Sequence, residues 1–235
     1  MTAIVDRSEL RAMTTAVPTD SLPSDRALPR GSVRRWAFLA LVGFPMWVVC
    51  FVLLYGALGA EPAEMTPAES IAYYRAGGAA IWAFTVIATV ASVVMALALV
   101  GLSRSVAGPA RHNLLARLAL VAATVGGIAG MASGLGTFVT LVADPDRPSA
   151  LAEALVAKSP ASAIVNGVAW TLLLVAVTLL AFALRRAGVL RRGGLIIGVL
   201  GALLTVVMLA TFFFVPVVAA ALELAVGAAL LARRQ

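Results

Sequence analysis

Residues 195–232 read LIIGVLGALLTVVMLATFFFVPVVAAALELAVGAALLA, 38 positions in which Glu223 is the single charge. A helix needs about 20 apolar residues to cross a hydrocarbon core ~30 Å thick. The stretch is therefore far too long for one crossing and long enough for two short ones. Pro216 marks the division, because proline suits the first turn of a helix, where its missing N–H costs nothing. This places a tight turn at Phe214–Val215–Pro216 between spans at 195–213 and 216–232. Working outward, four more apolar runs stand at 36–58, 78–102, 118–143 and 163–184, bounded by charged or proline-bearing segments. The expected fold is all-α, a polytopic transmembrane bundle of six spans over residues 34–235. Residues 1–33, with Pro18, Pro23, Pro29 and charges of both signs, read as a disordered cytoplasmic tail.

Composition points the same way. The chain of 235 residues is 62% hydrophobic and only 12% charged, against about 45–50% and about 25% in soluble domains. A net charge of +7 would suggest nucleic acid in a soluble protein, but here the basic residues lie between apolar runs and serve as topology signals. With the N-terminus inside, 15 of the 18 basic residues fall on the cytoplasmic side, leaving Arg75, Arg147 and Lys158 outside. Six spans keep both termini cytoplasmic; five would break the bias at Arg233 and Arg234. Arginine in place of lysine, with abundant Ala, Val, Leu and Gly, suggests a GC-rich bacterial genome and hence the bacterial cytoplasmic membrane. A cleaved signal peptide is the rival reading of the first run, but 36–58 exceeds the 7–15 residues of such a segment.

Both longer outer loops carry helix-start signals. Thr66-Pro67-Ala68-Glu69 has capping-box spacing with proline at the first helical position. The helix it opens would lay Ile71, Tyr73 and Tyr74 along the membrane surface. Asp144-Pro145-Asp146-Arg147-Pro148 leads into a second short helix over Ser149–Lys158. Acid and proline, then a short helix, then a span with a tryptophan (Trp82, Trp170) is a pattern that a duplicated hairpin would produce.

Glu223 is the residue most able to carry chemistry. It follows Pro216 by seven residues and precedes Arg233 by ten, roughly 10 Å from one surface and 15 Å from the other at about 1.5 Å per residue. A carboxyl there costs at least a few kcal/mol on insertion scales, so it should face the bundle, either protonated or bonded to a partner. It is the candidate catalytic or anchoring acid, and a structural lock on the last helix is the plainer alternative. No second acid lies within a span, which weighs against a proton relay and against hydrolysis by paired carboxylates.

Asn166 and Trp170, with Ser162, share one face of the fourth span at four-residue spacing. Trp82, Thr85, Thr89 and Ser92 form a stripe on the second, and Trp47 follows Pro45 in the first. Asn166, Trp170, Trp82 and Trp47 are the candidate ligand-binding residues, with Asn166 a candidate partner for Glu223. The simpler account of such hydroxyls and amides is that they join helices. Pro45 is expected to kink the first span and open a small cavity by Met46, Trp47 and Cys50. Gly126, Gly130 and Gly134 in the third span, and Gly194, Gly198 and Gly201 in the fifth, allow close backbone approach. They serve either packing within the bundle or a homo-oligomer. Cys50 is the sole cysteine and His112 the sole histidine, so no cofactor or metal is expected, and no Ser-His-Asp set or nucleotide loop can be assembled.

Pro216, Leu222-Glu223-Leu224, Gly227 and the terminal arginine pair resemble a family of small six-helix bacterial membrane proteins of unknown function. The likeness covers the layout and this final stretch, and it implies no activity. Two functional expectations follow from the residues. One is a non-enzymatic small transporter, resistance protein or accessory subunit that binds an apolar molecule, lipid or membrane protein partner within the bundle. The other is a membrane enzyme on a lipid or isoprenoid, of the acid-initiated cyclase type, with Glu223 as proton donor and tryptophan faces stabilising a cation.

Overall fold

The computed structural model describes residues 30–59, 65–107, 113–144, 146–147, 149–156, 159–211 and 215–233. Among them stand eight helices and no strand: α1 (Arg30–Leu58), α2 (Pro67–Ala76), α3 (Gly78–Ala107), α4 (Leu114–Val142), α5 (Ala150–Leu155), α6 (Pro160–Arg186), α7 (Arg191–Thr211) and α8 (Pro216–Leu231). Five of them, α1, α3, α4, α6 and α7, are long and apolar enough to cross a membrane. They make the chain a multi-pass membrane bundle. α8 is apolar but has 16 residues, about 24 Å at the α-helical rise. The expected tail lies outside the described residues as far as 29, and residues 30–33 already belong to α1. The expected turn at 214–216 lies largely outside them too; α7 ends at Thr211 and α8 opens on Pro216.

Local chemistry explains the helix starts. Thr66 caps α2 with a complete capping box: its hydroxyl accepts the Glu69 N–H at 3.3 Å, and Glu69 Oε2 accepts the Thr66 N–H at 2.7 Å. The Thr66 N–H and then the Thr66 hydroxyl, donating to Glu69 Oε2 at 2.7 and 2.8 Å, hold the exposed Glu69 carboxyl below its usual range. Asn113, Ser149 and Ser159 cap α4, α5 and α6 in the same sense, each satisfying an N–H that the first turn leaves open. The second short helix covers only Ala150–Leu155, shorter than expected.

α6 is the central helix; 67% of its most apolar window is buried, against 28% for α1 and α7. It packs broadly on α4 and α7, while α1 packs on α3 and α8, and α3 on α4. Glycines set the close seams. Gly126 lies against Ala169, Leu172 and Leu173 of α6, while Gly130 and Gly134 meet Ser92 and Thr89 of α3. Gly198 seats on the Phe182 ring of α6. The third-span glycine seam is thus packed inside the chain, against α3 and α6. Outward, α7 shows Ile196, Leu203 and Val206 at 60% exposure or more, an apolar face suited to lipid.

The bundle has two chemically unlike ends. One gathers the start of α1, the end of α3, the start of α4, the α6–α7 turn and the end of α8. It carries Arg34, Arg35, Arg104, Arg117, Arg185, Arg186, Arg191, Arg192 and Arg233. At the other, α2 and α5 close over the long helices. Ile71 is fully buried, the Tyr73 hydroxyl donates to the Leu58 carbonyl at 3.2 Å, and Arg75 donates to the Ala143 carbonyl at 3.1 Å.

Candidate functional site

Gly227 brings α8 against α1. A Cβ built there would stand 2.7 Å from the Ala37 carbonyl oxygen and 3.1 Å from the Ala40 Cβ. Four residues earlier on the same face of α8 stands Glu223, which the register carries to the level of Gly43. The α-carbon of Gly43 in turn faces Met95 of α3, whose Cγ would lie 2.7 Å from an added Cβ. Glu223 is 0% exposed, and neither carboxyl oxygen has a hydrogen-bond partner among the described residues. Its buried neighbours along α8, Ala219, Ala220, Leu222 and Val226, are all apolar. Most buried polar groups are hydrogen-bonded, so a carboxyl with two orphaned oxygens is an exception that needs a reason.

Asn166 is not that partner. The Ser133 hydroxyl of α4 donates to Asn166 Oδ1 at 2.6 Å, joining α4 to α6, while Glu223 has no hydrogen-bond partner among the described residues. The pairing corrects the expectation that Asn166 holds the acid. It is the hydrogen-bonded link between spans that such residues usually form. The α3 stripe behaves likewise. Thr85, Thr89 and Ser92 each donate back to the carbonyl four residues earlier, at 2.8 Å. Thr89 and Ser92 fill the seam with α4 instead of lining a pocket.

The tryptophans divide. Trp47 and Trp170 are each 5% exposed and meet edge to face with ring centroids 4.9 Å apart. Trp82 is 38% exposed and packs on Phe138 at the outside of the bundle, so it does not join them. α1 runs through Pro45 as one helix, and Cys50 is fully buried beside Trp47.

Four further orphans, on Trp47, Ser70, Ser103 and Thr171, went unnoticed in the sequence. Trp47 Nε1 and Thr171 Oγ1 are buried without a partner. Trp47 stands one turn beyond Gly43, about 6 Å along the axis toward the α2 end, and Thr171 adjoins Trp170. Ser103 Oγ is also buried and unpaired, but it lies about 12 Å from the Met95 level, toward the arginine end. The interior therefore holds two acceptor oxygens on α8, an indole donor one turn above on α1, and a hydroxyl beyond it on α6. Nothing in the sequence marks Thr171 among its apolar neighbours; only burial reveals it. The described residues include no cluster of three His, Cys, Asp or Glu that could hold a metal.

No family model, no curated protein and no solved structure matches the chain.

Proposed function

We propose that this is a six-span protein of the bacterial cytoplasmic membrane, with both termini cytoplasmic, that works without catalysis. In this reading it is a small transporter, resistance protein or accessory subunit. Its bundle binds an apolar molecule, lipid or partner segment through a hydrogen-bond donor presented to Glu223. The buried carboxyl with two unpartnered oxygens carries the proposal. Ionisable groups inside a membrane are retained against a cost of a few kcal/mol and by default mark a functional site. A structural lock would be bonded to something, and this carboxyl has no protein partner among the described residues. Support for the sixth span comes from α8 returning to the arginine end, where Arg233 donates to the Gly188 carbonyl at 3.1 Å.

The cyclase reading needs aromatic faces converging on one space beside the acid. The edge-to-face contact of Trp47 and Trp170 and the outward position of Trp82 give it less support. The test uses purified protein in nanodiscs, titrated with a long-chain alkylamine and with the alkane of equal length. Tryptophan fluorescence should change saturably with the amine in wild type and not in Glu223→Leu. Equal responses in both proteins would contradict the proposal, as would conversion of a polyprenyl substrate to a cyclised product.

A further inference from the structure

The arginine end has no neutralising charge among the described residues. Glu69, Asp144, Asp146 and Glu153 lie at the opposite end, and Glu223 lies in the interior. Into this basic surface opens a groove of about 440 Å³ lined by Leu115 at the start of α4 and by Phe182, Arg185 and Arg186 at the end of α6. Its frame is stiffly held. Gly188, at φ +70°, closes α6 with a Schellman turn in which the Val189 N–H reaches the Leu184 carbonyl at 2.9 Å and the Gly188 N–H reaches that of Arg185 at 3.0 Å. Gly194 of α7 packs on the Arg185 backbone, and Gly198 packs on the Phe182 ring. Arg233 ties the end of α8 to the same turn. Both guanidiniums are exposed and lack a carboxylate partner among the described residues.

We propose that this groove binds the phosphate headgroup of an anionic phospholipid, with Arg185 and Arg186 on the phosphate and Leu115 and Phe182 against the start of its acyl chains. Arginine suits the role because its planar fork donates two parallel hydrogen bonds to a phosphate. Basic pockets between membrane helices on the positively charged side recognise anionic headgroups in this way. A second groove, of about 280 Å³, contrasts with it: Trp36, Leu97, Val100, Gly101 and Ser105 surround one guanidinium, that of Arg104. One cation meets any phospholipid's phosphate, whereas two favour a headgroup with net negative charge. The proposal requires the bundle to lie in a membrane and is independent of Glu223.

The test is native mass spectrometry of the full chain in detergent, titrated with phosphatidylglycerol and with phosphatidylethanolamine. Recovery in the membrane fraction is checked first, so that a failure of membrane placement shows separately. Wild type should hold the anionic lipid roughly tenfold more tightly than the zwitterionic one. Arg185→Gln/Arg186→Gln should lose that preference, Arg185→Lys/Arg186→Lys should keep part of it, and Arg104→Gln should keep all of it. Melting temperatures should match across the set, since the changed groups are exposed. The site is overturned if the glutamine pair retains the preference or if Arg104→Gln loses as much, which would mean a diffuse field. Displacement of the lipid by millimolar inorganic phosphate would equally overturn it, because the site would then read a free anion.

Discussion

At Glu223 burial and bonding disagree, and the disagreement can be measured. An unsatisfied buried polar group carries a desolvation cost of ~1–3 kcal/mol, while an apolar group of similar shape carries none. Glu223→Leu is therefore expected to unfold in detergent at the same temperature as wild type or higher, and Glu223→Gln not much below it. A fall of several degrees in both would show that the carboxyl has a bonded structural role. Position alone made this residue legible: a single acid in 38 apolar positions must face inward. That it would stand without a protein partner was not legible, because Asn166 shares the membrane with it but points its amide oxygen at Ser133. Which face of one helix meets which face of another depends on packing geometry, and sequence spacing within a single helix does not contain that.

Helix starts were readable at the scale of the element because caps are local chemistry, completed within four residues. The capping box of α2 appears at Thr66 and Glu69 as the spacing required. Its pH dependence has a definite sign. The Glu69 carboxyl is held below its ordinary range in the folded helix. Its contribution is thus fully present above the ordinary carboxyl pKa and is lost as pH falls through the lowered value. Hydrogen exchange of α2 amides should accelerate, relative to intrinsic rates, on acidification through that window, and Glu69→Gln should flatten the response. The seams make a second, steric prediction. Gly227→Ala forces a methyl against the Ala37 carbonyl oxygen, and overpacking of this kind costs about 1–3 kcal/mol. Gly136→Ala meets nothing closer than the Leu155 Cβ at 3.5 Å. There the higher helix propensity of alanine should leave stability equal or raised by up to ~1 kcal/mol. Thermal unfolding of the two variants side by side checks the ordering. Repeated glycines announced close seams in the sequence, but the partner helix of each emerged only from the fold.

Over the whole molecule, apolar runs and arginine positions were enough to anticipate the long helices and the charged end, since both follow from the cost of exposing groups to the wrong solvent. The interior orphans on Trp47 and Thr171 and the groove at Arg185 and Arg186 were not, because each arises where separate helices meet. The account depends on α8 crossing the membrane, for only then does Glu223 lie in its interior. Cys50, the sole thiol, is buried, so a Cys50→Ala background permits single-site labelling. The deciding measurement is labelling of intact cells with a membrane-impermeant maleimide after Asp146→Cys, Arg192→Cys or Ala232→Cys. Asp146→Cys should react at once, while Arg192→Cys and Ala232→Cys should react only after the membrane is permeabilised. Reaction of Ala232→Cys in intact cells, alongside Asp146→Cys, would mean that α8 does not cross and would remove Glu223 from the membrane interior.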